Sequence, residues 1–347
     1  MAPSAVDPAP QTESAPNGIH PSFLDRLDND FIEYYNEHFA SKPATHTIPV
    51  SEIRTGWQHK YRSPWCRDYS GEPLVKDLKI QSDDGHIFTA RCYYPDPEKW
   101  GPGPYPVYIN FHGGGFTFGD LTGDAELCDQ YRTRVGVLAI DVDYRLCPEF
   151  RFGKGHEDAW AALRWVHNHG KELNAIPESI SIGGISAGGH ISAVLQQQAR
   201  DSGLSLKLAV LAVPAVTSHA AYLKASDAPW PSCSENEFAP CLNWARILYF
   251  RGYSRPDGLK GEVAHIVRQP LDGNLHGVCP TIVLTAACDP IRDEGEAYAQ
   301  KLIKEGVLTT VRRYSGVPHP FMHMSPIKKA QIYVEDVCAA LKAAHGL

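Results

Sequence analysis

Long apolar runs, clusters of basic residues and closely spaced cysteines are all missing from this 347-residue chain. The longest apolar stretches, 208–216 and 279–288, reach about half of the roughly 20 residues that a membrane-spanning helix needs, so they suit buried strands. The 33 basic and 40 acidic side chains leave a net charge of −7 and are scattered. That distribution excludes a nucleic-acid surface and an anionic-membrane patch. The nine cysteines are an odd number, widely spaced and without a C-x-x-C pair, as in a protein with reduced thiols. Residues 1–17 lack both the basic start and the apolar centre of a signal peptide, and residues 344–347 match no retention or peroxisomal signal. Together these absences predict a cytoplasmic protein without a membrane span. No H-E-x-x-H segment and no Cys/His cluster occurs, so no metal and no cofactor is expected.

What is present is a core. Hydrophobic residues make up 43% of the chain, enough for one large domain with an appendage. Residues 1–18, rich in Pro, Ala and Ser, read as a disordered leader. Residues 21–40 carry Phe23, Leu24, Leu27, Phe31, Tyr35 and Phe39 near helical spacing. From there to residue 73 no periodicity appears. Strand candidates then alternate with helical patterns: strands at 75–80, 87–94, 107–111, 137–142, 180–182, 208–213, 282–287 and 309–314, helices at 157–167, 187–199, 294–304 and 326–344. The Asp83-Asp84-Gly85 turn joins the first two strands. Largely apolar strands separated by helices predict an α/β fold, a mostly parallel central sheet flanked by helices. Residues 217–278 break the rhythm and hold Tyr222, Trp230, Phe238, Trp244, Tyr249 and Phe250. The expected organisation is a catalytic domain of 74–216 and 279–347, with a helical cap built from 19–73 and the inserted segment 217–278.

Gly184-Ile185-Ser186-Ala187-Gly188 matches G-x-S-x-G between a strand and a helix, the setting of a nucleophile elbow. The glycines permit a turn so tight that the Ser hydroxyl stands exposed above the sheet, where the helix N-terminus favours developing negative charge. His112-Gly113-Gly114-Gly115-Phe116 follows another strand. Acyl transfer creates an oxyanion that must meet preorganised N–H donors, and consecutive glycines leave that approach open. Gly113, Gly114 and Ala187 are the expected donors, with His112 structural. A base and an orienting carboxylate must follow in the order Ser, Asp, His. Asp289 is the first carboxylate after the strand at 282–287, while Asp293 and Glu294 suit the first turn of the next helix. His319 lies in the loop after the last strand; His323 is its rival.

Taken together, these residues resemble the hormone-sensitive-lipase-like family of carboxylesterases, from about residue 75 to the C-terminus. His112–Phe116 looks like the family's HGGGF loop. Asp143-Tyr144-Arg145-Leu146-Cys147-Pro148-Glu149 looks like its DYRLAPE segment with Cys147 for Ala, and Glu157-Asp158-Ala159-Trp160 resembles the helix that follows. Asp289–Gly295 looks like DPLRDEG, and His319-Pro320-Phe321 like HGF with Pro320 for Gly. Where the family has Asp before the nucleophile, this chain has Ile185, which makes the elbow less polar. The resemblance implies the α/β-hydrolase fold with a cap, Ser186, Asp289 and His319 as a catalytic triad, and hydrolysis of a small to medium, apolar or aromatic ester. Phe116, Phe118, Ile185, Trp230, Trp244 and Phe321 are the expected substrate contacts, although Trp230, Trp244 and Tyr249 would equally serve to pack the cap. The implied partner is a small-molecule ester or related acyl compound, and the family also admits a homodimer. Two other classes on this scaffold are a non-hydrolytic cyclase or lyase of secondary metabolism and a ligand receptor. A complete triad speaks against the receptor.

Overall fold

Apolar residues at every second position, on both faces, require a sheet covered on both sides, and eight strands assemble one. The computed structural model describes residues 15–56, 63–218, 222–255 and 263–347; most of the expected disordered leader lies outside them. The strands are β1 (Val75–Gln81), β2 (Ile87–Tyr93), β3 (Tyr105–Phe111), β4 (Leu138–Asp143), β5 (Ala175–Ile185), β6 (Leu208–Ala212), β7 (Thr281–Cys288) and β8 (Thr309–Pro318). Their order is β1-β2-β4-β3-β5-β6-β7-β8. The β1–β2 and β2–β4 pairs are antiparallel, and β3 to β8 run parallel. All parallel strands therefore present their C-terminal ends on one edge, where ligands of open α/β sheets bind.

The helices that matter here are α1 (Asn29–His38), α2 (Val50–Gly56), α3 (Ala125–Val135), α4 (Lys154–Asn168), α5 (Ala187–Ser202), α6 (Trp244–Ser254), α7 (Arg292–Lys304) and α8 (Lys328–His345). Alternation along each strand sorts them into two layers. Val107, Ile109, Ile180, Ile182, Leu211 and Val283 share a core with α4, α5 and α7. Tyr108, Ile185, Val210, Ala212, Ile282 and Leu284 face the other way, onto α3, α8 and, above them, α1.

Three sequence expectations change. The helix expected over 21–40 is a short 3₁₀ turn, Pro21–Phe23, followed by α1. The break falls at Asp28, whose extended backbone starts α1 and whose N–H donates to Gly316 O at 2.8 Å. Helix α3 went unforeseen because Glu126, Asp129, Gln130, Arg132 and Arg134 mask it. Its buried Leu127, Tyr131 and Val135 nevertheless keep an i, i+4, i+8 spacing. Strand β5 is also longer than the three residues expected, since its early part pairs with β3 from Ala175 onward.

The N-terminal segment and the insertion meet above the strand ends. Tyr249 Oη on α6 donates to Ile48 O (2.8 Å), and Arg26 Nη2 to Asn236 Oδ1 (2.7 Å). Ile48, Val50 and Ile53 pack around Phe118 with Tyr249 and Phe250. No helix among the described residues is long and apolar enough to cross a membrane.

Candidate active site

The turn from β5 into α5 places Ser186 at φ 58° and ψ −111°, a left-handed backbone that a non-glycine residue adopts only under strain. Such strain costs about 1–3 kcal/mol and persists where the surroundings fix it. Here the Ser186 N–H donates to Ala212 O of β6 at 2.8 Å, and Ser186 O accepts from His190 N–H at 2.9 Å. Gly188 is obligatory, because a Cβ there would overlap the Phe111 carbonyl at the end of β3. The elbow thus hangs between β3 and β6, and Ser186 borders a cavity.

The carboxylate and the imidazole arrive from neighbouring strands. Cys288 of β7 stands in register with Pro318 of β8, so the next residues, Asp289 and His319, leave the sheet side by side. His319 Nδ1 lies 2.9 Å from Asp289 Oδ2. The other Asp289 oxygen accepts the Ile291 N–H at 3.0 Å, and the carboxylate is wholly buried. These two bonds fix the carboxylate plane and turn the opposite edge of the imidazole away from it. His319 and Ser186 line the same cavity.

The rival histidine has a different partner. His323 Nε2 lies 2.6 Å from Asp124 Oδ1, and the ring stacks on Trp65 at 5.1 Å. Asn110 Nδ2 donates to both Asp124 (3.0 Å) and Asp141 (2.8 Å). Burial, with the Asp124 charge beside it, pushes the Asp141 carboxyl well above the usual carboxylate range. Asp293 and Glu294 are likewise engaged elsewhere, Asp293 by Arg292 Nε (2.7 Å) and Glu294 by Thr217 Oγ1 (2.7 Å).

The glycine loop after β3 is braced from behind. Tyr144 Oη donates to His112 O at 2.7 Å, and the two rings stack at 4.2 Å. Gly114 O accepts the N–H groups of Thr117 (3.0 Å) and Phe118 (2.9 Å), which closes a turn that needs φ 121° at Gly114. Among the described residues the N–H groups of Gly113, Gly114 and Ala187 have no acceptor. Gly113 and Gly114 border the cavity, and Ala187 borders a second, smaller one. Ser186 borders both cavities as well, and a developing oxyanion requires unengaged donors of this kind.

A family model described as alpha/beta hydrolase fold matches residues 108–323, which span the glycine loop, the elbow and both histidines. The chain belongs to that family. Its relatives include the esterase LipI of Mycobacterium tuberculosis, 35% identical over 263 residues, 74% of this chain and 79% of LipI. An AB hydrolase superfamily protein of Schizosaccharomyces pombe is 31% identical over 337 residues, 93% of this chain and 95% of the yeast protein. Among solved structures, a Pyrobaculum calidifontis esterase superposes with a TM-score of 0.77 at 27% identity, covering 91% of this chain and 98% of the archaeal one. This α/β hydrolase is thus of the hormone-sensitive-lipase-like carboxylesterase type, an enzyme acting on ester bonds.

Ser186 of the hydrolase stands between two cavities. The larger, about 200 Å³, is walled by Tyr35, Phe39, Trp65, Phe118 and Phe238 and floored by Gly113, Gly114 and His319. The smaller, about 80 Å³, lies between Gly115, Phe116, Ala187, Leu242, Phe250 and Ile291. Of the expected substrate contacts, Phe118 and Ile185 border the larger cavity and Phe116 the smaller. Ile185 thus puts an alkyl group where a carboxylate is usual.

Three expected contacts are corrected. Trp244 is the first residue of α6 and turns inward, donating Nε1–H to Leu223 O at 3.1 Å. Trp230 packs against the same cluster as Trp244, with Leu242 and Ile247, so both hold the insertion together. Phe321 is fully buried beneath the histidine loop, against Tyr314 at 4.9 Å and Tyr333 at 6.0 Å. Neither tryptophan nor Phe321 borders either cavity.

Other residues of the hydrolase acquire roles that no motif announced. Buried Asn236 in the insertion donates Nδ2–H to Asp289 O at 3.1 Å, and Ser232 Oγ–H donates to Pro290 O at 2.8 Å, so the insertion is latched to the loop that carries Asp289. Arg145 binds Asp158 and Asp84, each at 2.8 Å, anchoring the segment that carries Tyr144.

Proposed function

We propose that the protein is a serine carboxylesterase working through an acyl-enzyme, with Ser186 as nucleophile, His319 as base and Asp289 as orienting carboxylate. The observation that carries this reading is the 2.9 Å His319–Asp289 pair facing the strained Ser186 elbow across one cavity. Asp289 holds the proton on Nδ1, which leaves Nε2 free to accept the Ser186 proton. The hydroxyl oxygen attacks the ester carbonyl, and the N–H groups of Gly113, Gly114 and Ala187 stabilise the oxyanion. His319 then gives its proton to the departing alkoxide and takes one from the water that releases the acid.

The two cavities divide the substrate. The leaving oxygen must come within reach of His319, which borders the larger cavity and not the smaller. The apolar or aromatic alcohol accordingly occupies the large cavity, and a short acyl group the small one. The segments 19–73 and 217–278 act as the cap that closes over the alcohol.

The test is turnover of p-nitrophenyl esters of increasing acyl length by the wild type and by Ser186→Ala. The wild type should prefer short acyl chains, and the variant should lose about 10⁴-fold or more of its kcat. Equal turnover by both proteins would dismiss Ser186 as the nucleophile.

A further inference from the structure

The smaller cavity holds a buried cation that forms no ion pair among the described residues. Arg255, just beyond α6, is only 9% exposed and borders this cavity together with Ser186, Ala187 and Arg251. Its guanidinium lies 4.3 Å from the Phe152 ring centre and 5.5 Å from that of Phe116. It forms no ion pair among the described residues, and its buried Nε has no hydrogen-bond partner there. The one carboxylate acting on it, Glu294, already accepts from the Thr217 N–H (3.1 Å) and Oγ1–H (2.7 Å). Burial brings the guanidinium down to about 10, with Glu294 opposing that shift, so it stays charged at neutral pH. Arg251 is a second cation at the same cavity, with Nη1 donating to Tyr222 O at 2.8 Å, and among the described residues no acidic side chain borders the space.

A buried cation is costly unless it is paired. Among the described residues that pair is missing, and Arg255 borders the space assigned above to the acyl group. The rest of that wall, Leu242, Ile247, Phe250 and Ile291, suits methylene groups. We infer that Arg255 binds a carboxylate at the far end of the acyl group, so that the preferred substrates are half-esters of short dicarboxylic acids. The inference rests on the acyl-enzyme reading and on the assignment of the acyl group to the smaller cavity. An Arg guanidinium matches a carboxylate in a planar, two-bond geometry that neither a neutral acyl chain nor a Lys ammonium reproduces.

The experiment compares monoethyl succinate with its neutral isostere, ethyl 4-methylpentanoate, by following acid release from the full-length protein. The wild type should favour the charged ester in kcat/KM by 10-fold or more. In Arg255→Met that ratio should fall about 10²-fold, mainly through KM, with Arg255→Lys recovering only part of it. Should the Met variant not fold, the wild type still decides: succinate should inhibit hydrolysis of the neutral ester competitively, and butyrate at the same concentration should not. A wild type that cleaves the neutral ester as well as the charged one, and that succinate does not inhibit, would overturn the inference while leaving the esterase reading intact. Failure to cleave either ester, or any p-nitrophenyl ester, would overturn both.

Discussion

Replacing Asp289 by Asn changes the chemistry of the proposed triad without changing its volume. The buried carboxylate accepts from His319 Nδ1 at 2.9 Å and from the Ile291 N–H at 3.0 Å. An Asn side chain can keep the second bond through its carbonyl oxygen, which then directs its NH₂ group toward His319. A donor facing Nδ1 reverses the imidazole tautomer: the proton moves to Nε2, and Nε2 can no longer take the Ser186 proton. Loss of general-base catalysis by this route is worth about 10⁴-fold in kcat, or roughly 5 kcal/mol of transition-state stabilisation. The fold should survive, because shape and one hydrogen bond are retained and a buried charge is removed. The assay is steady-state hydrolysis of p-nitrophenyl acetate beside thermal unfolding of wild type and Asp289→Asn. A variant that melts within a few degrees of the wild type yet keeps more than a tenth of its kcat would refute the reasoning. The parallel variant Asp124→Asn removes the charge beside His323 instead; if that one loses 10⁴-fold while Asp289→Asn does not, the roles of the two histidine–carboxylate pairs are exchanged.

Gly188→Ala should destabilise the fold by about 3 kcal/mol or more, because the new methyl on α5 overlaps the Phe111 carbonyl of the central strand β3, and both elements are held by the packed sheet. Gly252→Ala on α6, where nothing lies within 4 Å of the added carbon, should be neutral or stabilising by up to about 1 kcal/mol; urea titrations of both variants check the contrast. Acid should weaken the fold through His190, which burial, and secondarily the nearby Arg255 charge, lowers to about 4. The unfolded imidazole takes up its proton near pH 6.5, so this stability is complete above that pH and is lost as pH falls toward 4. The loss is on the order of 3 kcal/mol. A urea midpoint that does not move between pH 7 and pH 4.5 would contradict this account.

Where the chemistry depends on adjacent residues in the chain, the sequence was explicit. Gly184 to Gly188 and His112 to Phe116 are local backbone devices, and each required steric property belongs to residues a few positions apart. The choice of Asp289 over Asp293 and of His319 over His323 was also open to reading, from their positions directly after strand ends. The register of β7 with β8 then set the chosen pair side by side. Strands buried on both faces announced the sheet, whereas α3, amphipathic on a narrow stripe, escaped notice.

The cavity walls followed a different logic. Trp230 and Trp244 are aromatics of the inserted segment and Phe321 adjoins His319, yet each turns into packing. Tyr35, Phe39, Trp65 and Phe238, which do wall the larger cavity, come from segments up to 203 residues apart in the chain. Arg255 is one of three arginines in the stretch 246–255, and nothing in its neighbours marks it as buried and without an ion pair among the described residues. The sequence alone determined the candidate reactive atoms of the proposed mechanism, because an elbow, a glycine loop and a strand-end carboxylate are made by local stereochemistry. Which side chains wall the two cavities, and which buried charge has no ion pair among the described residues, was decided only when distant segments closed over the strand ends, because burial and pairing are properties of the assembled space.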